Sequence, residues 1–315
     1  MKLNPNFVNT FSEITSRAAI ASFPFIGLGD KNNADEAAVN VMRKSLNELD
    51  IKGRIVIGEG ELDEAPMLYI GEEVGQQFGD EIDFAVDPIE GTNFVAKNLP
   101  GGISVLAAAP KNGLFKAPET YMYKIAFSEA VEKDAVDLDF TIEKNFKNLA
   151  DSLNKNLEDL TICLLDRPRH KDIIEIANKF KIKMKLLSDG DVAGALFVTN
   201  KKFNVDLFLG IGGGPEGVIA ASALDCYNCN FQGKFIFSSD EEIHRAKKMG
   251  ITDLDKKYQL KDIVKGDSIF SATGITSGEL VDGVKKENNE FITETLVTHK
   301  SENFIKKLKK RILYK

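Results

Sequence analysis

Strand-like and helix-like segments alternate without interruption from residue 160 to residue 224. No other feature of the 315-residue chain restricts its fold as much. Strand 160–165 precedes helix 168–180, strand 183–188 precedes helix 191–200, and strand 205–210 precedes helix 215–224. A strand, a crossover helix and a second strand of the same sense predict a parallel sheet covered by helices. The chain is therefore expected to be an α/β protein. In such proteins ligands collect at the carboxyl ends of strands.

The rest of the sequence reads as follows. Phe7, Phe11, Ile14, Ala18 and Ala19 recur at helical spacing and predict a helix over 7–22, with a second over about 34–49. A strand is expected over 53–58, a helix near 66–78 and a strand over 82–87. Segments 103–109 and 123–128 read as strands flanking Lys111-Asn112-Gly113, a hairpin turn signal. The polar stretch 132–157 is the expected seam between an N-terminal half, 1–157, and a C-terminal half, 158–315. Segments 267–272 and 291–298 read as short strands, and 306–315 as a basic helical tail with a solvated face.

With 41 basic and 48 acidic residues the formal net charge is −7, so the global basic footprint of a nucleic-acid-binding protein is missing. Pro5, Glu13 and Arg17 break up any signal-peptide core. The longest apolar-looking run, 18–29, is too short to span a bilayer and contains Pro24. A cytoplasmic protein with no nucleic-acid and no membrane partner is expected. Cys163, Cys226 and Cys229 read as buried thiols of a reducing compartment, because His170, His244 and His299 show no matching zinc spacing.

Chemistry concentrates in Asp83-Phe-Ala-Val-Asp87-Pro-Ile-Glu90-Gly-Thr92, where a strand runs into a turn carrying two carboxylates and a hydroxyl. Such clustered oxygens suit a hard divalent cation. Further carboxylates stand in Gly29-Asp30-Lys31-Asn32-Asn33-Ala34-Asp35, in Gly58-Glu59-Gly60-Glu61, and at Glu216 in Gly212-Gly-Gly-Pro-Glu-Gly217. Structural roles compete for several of them. Asp30 or Asn33 serves as a helix N-cap, and Glu61, Asp63 and Glu64, with Pro66 at a first helical position, suit the first turn of a helix. Jointly the acids fit phosphoryl transfer to water, with two or three Mg²⁺ or Mn²⁺ ions neutralising phosphate oxygens and Thr92 holding the attacking water. Arg167 and Arg169, on one turn between a strand and a helix, suit a second phosphate; solvated arginines are the alternative. Asp189 and Asp191, in Ser188-Asp-Gly-Asp191, read either as N-cap residues or as acceptors of sugar hydroxyls.

Asp87-Pro-Ile-Glu-Gly-Thr92 resembles the signature of the lithium-sensitive, metal-dependent sugar and inositol phosphatases. Together with Val56-Ile-Gly-Glu-Gly-Glu-Leu-Asp-Glu-Ala-Pro-Met67 and Gly29-Asp-Lys-Asn32, it is similar to class II fructose-1,6-bisphosphatases over about residues 10–285. The resemblance implies a layered α-β-α-β-α sandwich and a homodimer or homotetramer. It also implies gluconeogenic hydrolysis of the 1-phosphate of fructose-1,6-bisphosphate with two or more Mn²⁺ or Mg²⁺ ions. By matching motifs, Asp35 and Glu59 would hold one metal, and Asp87, Glu90 and Glu216 another. Thr92, Asp35 and Lys31 would be catalytic. Glu90, Gly91, Thr92, Tyr121, Arg167, Pro168, Arg169, Asp189, Gly190, Asp191 and Gly213 would contact the sugar bisphosphate. Relatives that also act on sedoheptulose-1,7-bisphosphate make a dual bisphosphatase the alternative, followed by an inositol-phosphate phosphatase. The segment Asn93–Gly102 departs from the family pattern directly after the catalytic turn, which leaves substrate breadth open.

One motif points elsewhere. Gly212 to Gly217 satisfies Gly-x-Gly-x-x-Gly between a strand and a helix, with Asp240 near the place of a ribose-binding acid. That pattern alone suggests a nicotinamide-dependent dehydrogenase, but Glu216 puts negative charge where a pyrophosphate would sit. A non-catalytic sugar-phosphate-binding protein would be expected to lack Thr92 or one of the acids, and none is missing.

Overall fold

The computed structural model describes residues 2–59 and 68–313. In chain order the helices are α1 (Phe7–Ser22), α2 (Lys31–Asn47), α3 (Thr92–Ala96), α4 (Ile142–Leu153), α5 (Lys171–Lys179), α6 (Asp191–Leu196), α7 (Gly214–Cys226), α8 (Asp240–Lys248) and α9 (Leu260–Ile263). The strands of the first part are β1 (Ile51–Ile57), β2 (Glu73–Val74), β3 (Asp80–Glu90) and β4 (Ile103–Pro110). They are followed by β5 (Tyr121–Phe127), β6 (Thr161–Leu165), β7 (Lys183–Leu187), β8 (Leu207–Gly213), β9 (Asn230–Ile236) and β10 (Lys257–Gln259). The last four are β11 (Ile269–Gly274), β12 (Lys285–Glu287), β13 (Glu290–His299) and β14 (Phe304–Leu313). The chain forms two compact units, one of Met1–Lys116 with Val264–Lys315, the other of Ala117–Ile263.

The first unit holds an eight-stranded sheet in the order β12-β13-β11-β4-β3-β1-β2, with β14 on the other edge of β13. β1 and β3 run parallel, and the remaining pairings are antiparallel. The periodic face of α1 buries Phe11, Ile14 and Ala18, and α2 adds Met42, against Phe84, Val86 and Leu106 of the sheet. Apart from Ala18, each such side chain contributes roughly 1.5–3 kcal/mol by leaving water. A hydroxyl ladder crosses the same interface: Thr15 Oγ1 lies 2.8 Å from both Ser271 Oγ and Thr273 Oγ1, which itself lies 2.7 Å from Thr295 Oγ1. Each buried hydroxyl is thereby satisfied, as burial demands.

The second unit holds a six-stranded sheet in the order β10-β9-β5-β8-β6-β7. β6 pairs parallel with both β7 and β8, while β5, β9 and β10 complete the sheet in antiparallel sense. Phe146, Leu149 and Ile173 of α4 and α5 pack on Ile125, Ile162, Leu164 and Leu209. The alternate residues of the same strands meet α6 and α7. A Cβ on Gly194 would approach Phe208, and one on Gly217 would approach Met122 and Lys124. Each unit is thus a sheet flanked by helices, the mixed α/β class that the sequence predicts.

Five expectations need correction. The parallel sheet predicted from residues 160–224 is real, but only three of its six strands are parallel. The turn at Lys111–Gly113 exists, with the Gly113 N–H donating to Pro110 O, yet β4 and β5 lie in different sheets and form no hairpin. Residues 68–78 are not helical. Gly71, Gly75 and Gln77 adopt left-handed backbone angles around the short strand β2, and positions 66 and 67 lie outside the described residues. The basic tail is a strand, β14, paired along its whole length with β13. The seam expected at 132–157 lies within the second unit; the chain passes between units at 116/117 and 263/264. Cys163, Cys226 and Cys229 are buried thiols.

Candidate active site

In the first unit the site residues gather at the carboxyl ends of its parallel pair, β1 and β3. Asp87 stands opposite Val105, and Glu90 opposite Ile103, so β3 spends three steps where β4 spends two. That bulge falls between Asp87 and Glu90, a stretch that includes Pro88, which has no N–H to give the ladder. Its consequence is geometric. Three residues apart on a regular strand, Asp87 and Glu90 would face opposite ways; here both partner residues lie on one face of β4, so both carboxylates do too. The Ile89 N–H donates to Asp87 Oδ1 at 3.1 Å and fixes the turn. Gly91 follows at φ 81°, a left-handed angle that favours glycine, and a Cβ there would come within 2.7 Å of the Phe94 ring. Thr92 then opens α3.

Asp30 is the N-cap of α2, its carboxylate accepting from the Asn33 N–H at 3.1 Å. This settles the choice between Asp30 and Asn33. Lys31 is exposed on the first helical position, and the half-buried Asp35 lies one turn further along. The Asp35 carboxyl hydrogen-bonds that of Glu59, which follows β1. Burial raises Asp35 above the usual aspartate range, and the bond to Glu59 partly offsets this. Two carboxyls in contact require a proton or a cation between them. Among the described residues no three acid, histidine or cysteine side chains are grouped closely enough to hold a metal by themselves. Glu61, Asp63 and Glu64 lie outside the described residues.

In the second unit the site residues lie at the carboxyl edge of β6, β7 and β8. Arg167 and Arg169 follow β6, Asp189 and Asp191 follow β7, and Gly213 and Glu216 follow β8. Tyr121 begins the antiparallel β5 directly opposite Gly213. The Arg169 guanidinium stacks on the Tyr121 ring at 4.6 Å and donates from Nε to Ile211 O at 2.9 Å. Arg167 approaches Asp189 at 3.8 Å. Gly190, at φ 87°, precedes α6, and no side chain caps that helix. Asp191 is therefore not the N-cap that its sequence context suggested.

The glycine motif is explained here. A Cβ on Gly212 would lie 2.2 Å from Asp191 Oδ2, and one on Gly213 would lie 1.9 Å from Glu216 Oε2. These glycines make room for two carboxylates, which leaves no reason to read them as a dinucleotide fingerprint. Burial raises Glu216 above the usual range; Lys124 opposes the shift, and Asp191 and Asp189 add to it.

Two residues that the sequence reading passed over prove central to this edge. Lys124, in the middle of β5 and 1% exposed, ion-pairs with Asp191 and donates to Gly213 O at 2.7 Å. The signal was available: one lysine inside the apolar run Tyr-Met-Tyr-Lys-Ile-Ala-Phe. His170 is fully buried. Its Nδ1 lies 2.6 Å from Leu165 O, and its Nε2 accepts from the Ile211 N–H at 2.7 Å, so the ring ties the arginine turn to β8 in the neutral form.

The strand-end carboxylates and hydroxyl-bearing turn of the first unit, and the braced arginine pair of the second, are compatible with an α/β phosphatase. Residues 5–312 match the family described as bacterial fructose-1,6-bisphosphatase, glpX-encoded. The chain belongs to that family. A Prochlorococcus marinus protein named D-fructose 1,6-bisphosphatase class 2/sedoheptulose 1,7-bisphosphatase is 42% identical over 309 residues, covering 94% of this chain and 92% of its own. A Microcystis aeruginosa protein of the same name is 42% identical over 310 residues, covering 90% of each chain. Among solved structures, extragenic suppressor protein suhB from Bartonella henselae aligns over 62% of this chain and 73% of its own at a TM-score of 0.35 and 11% identity. An extragenic suppressor from Pyrococcus furiosus aligns over 62% and 70% at 0.33 and 14%.

Proposed function

We propose that the protein hydrolyses the 1-phosphate of fructose-1,6-bisphosphate to fructose-6-phosphate and inorganic phosphate, and accepts sedoheptulose-1,7-bisphosphate as a second substrate. The observation that carries this reading is the nearly full-length family match, supported by relatives whose names include both sugars. The working form is a cytoplasmic homodimer or homotetramer. Among the described residues no helix is long and apolar enough to cross a membrane.

The donor set fits hard divalent cations, Mn²⁺ or Mg²⁺. The Asp35–Glu59 contact calls for positive charge, Asp87 and Glu90 offer on one face the oxygens such ions prefer, and in the second unit Glu216 offers another. When bound, the ions neutralise phosphate oxygens and lower the pKa of water. The protein's own groups do the rest. Thr92 Oγ1 holds the water in line with phosphorus. Asp35 accepts the proton as the water oxygen bonds to phosphorus; the bond from phosphorus to the C1 oxygen breaks, and that oxygen takes a proton from solvent to leave as the C1 hydroxyl of the sugar monophosphate. Lys31 pairs with the transferred phosphate. Arg169, fixed by Tyr121 and Ile211 O, and Arg167 grip the distal phosphate. Asp189 and Asp191 accept sugar hydroxyls. Most of the acceleration comes from positioning and preorganised charge.

The test is product analysis of purified protein with fructose-1,6-bisphosphate. Fructose-6-phosphate with one equivalent of phosphate is expected, and Arg167→Ala should raise KM for the bisphosphate while kcat changes less. Equal turnover of monophosphates by the wild type would rule out a distal-phosphate grip.

A further inference from the structure

We propose that Lys124 is a positioning residue for both ligand-binding carboxylates of the second unit: it occupies one oxygen of Asp191, leaving the other for the sugar, and screens Asp191 from the cation-binding Glu216. The inference rests on the function proposed above.

Lys124 sits in the centre of β5, where an ammonium leaves water entirely. Burying it costs several kcal/mol unless it is paired and hydrogen-bonded. It is both: Asp191 Oδ2 and Gly213 O receive its protons. Three elements, β5, the start of α6 and the turn from β8 into α7, are thereby held by one side chain. Asp191 itself is 6% exposed, and its Oδ1 is buried with no hydrogen-bond partner among the described residues. A buried carboxylate oxygen left open beside one that is tightly held marks an acceptor kept for a ligand. Glycines at 212 and 213 admit the Asp191 and Glu216 carboxylates against the backbone, and the Lys124 stem would meet a Cβ on Gly217, the residue after Glu216, at 3.2 Å. One ammonium thus serves two enclosed carboxylates. Asp191 takes the contact, and the Glu216 carboxylate, seated against the Gly213 backbone, is left for a metal ion. A lysine needed only for packing would have no such division.

The test uses the full chain, stripped of metal, in four forms: wild type, Lys124→Met, Lys124→Arg and Asp191→Asn. Mn²⁺ alone is titrated and the free ion read by electron paramagnetic resonance; phosphate release is measured separately. Removing the ammonium takes positive charge from beside Glu216, so Lys124→Met should bind Mn²⁺ roughly fivefold more tightly. Asp191→Asn leaves the ammonium unneutralised and should weaken Mn²⁺ binding by a similar factor. Lys124→Met should also raise KM for the bisphosphate roughly tenfold, the size of one lost charge-assisted hydrogen bond. Lys124→Arg should restore most of it. Shifts of opposite sign support the proposal. Unchanged Mn²⁺ affinity, or shifts of the same sign, in folded variants overturns it. Should Lys124→Met fail to fold, Asp191→Asn decides alone: unchanged Mn²⁺ affinity there also overturns it. If the wild type releases no phosphate from any sugar bisphosphate while the opposite shifts persist, the proposed function fails and the charge arrangement stands.

Discussion

Gly213→Ala isolates one consequence of the site's construction. Gly213 closes β8 at φ −64° and ψ 144°, a conformation that any residue adopts, so alanine brings no backbone strain. What it brings is a methyl group 1.9 Å from Glu216 Oε2 and 2.6 Å from its Cδ. Non-bonded contacts below 3.0 Å are not tolerated, so the carboxylate must retreat by more than about 1 Å. The clash involves the end of a flexible side chain, which swings aside at little cost to the fold. Tm should therefore fall by no more than about 4 °C. Catalysis should suffer far more, because a misplacement near 1 Å costs roughly a hundredfold. The expected result is a drop of about that size in kcat/KM, with more Mn²⁺ needed for half-maximal rate, read by phosphate release across a metal titration. A folded variant with wild-type kcat/KM and metal dependence would refute the claim that this glycine exists to seat Glu216.

Thr92→Ala should lower kcat roughly a hundredfold with KM little changed, since it removes the group that aligns water; unchanged turnover would dismiss that role. Burial lowers the pKa of His170 below its ordinary value of 6.5, although its backbone hydrogen bonds work the other way. The ring therefore stabilises the fold above pH 6.5, and that contribution is lost as pH falls through its folded value. The Tm advantage of wild type over His170→Gln should shrink below pH 6.5, and a constant difference from pH 8 to 5 would contradict this. Burial pushes Asp267 up, but the Leu3 and Ser301 N–H groups and the His299 ring outweigh it and hold the carboxyl below the usual aspartate value. Asp267→Asn should cost about 3 kcal/mol in denaturant unfolding near neutral pH and progressively less in acid; no loss at neutral pH would show that the carboxylate charge is not needed. Truncation after Asn303 removes β14 and uncovers one edge of β13, so Tm should fall; a solvated helical tail would leave it unchanged.

Local signals carried much of the fold. The helix at 7–22 and the strand–helix order from 160 to 224 were legible because burial on one face imposes a period that the residues display. The tail was not. Lys306, Lys307, Lys309, Lys310 and Arg311 look like a solvated helix, and what makes them a strand is pairing with β13, which no local pattern encodes. Residues 68–78 failed for a different reason: their turns rest on left-handed angles at Leu68, Gly71, Gly75 and Gln77, two of which are not glycine. At the site, Asp87, Glu90 and Thr92 stood out because so many oxygens on one turn have little structural use. That Asp87 and Glu90 share a face depends on a bulge visible only in the register with β4. Lys124 is the instructive omission. A charge inside an apolar strand requires a buried partner, and asking for that partner leads to Asp191 and then to Glu216.

Inorganic phosphate released by the metal-stripped protein from fructose-1,6-bisphosphate, sedoheptulose-1,7-bisphosphate, fructose-6-phosphate and inositol monophosphate, each with and without added Mn²⁺, tests the central claim most directly. Mn²⁺-dependent release from the bisphosphates, abolished by chelator, with little from either monophosphate, is the predicted result. Release that is indifferent to Mn²⁺, or a preference for the monophosphates, would contradict it.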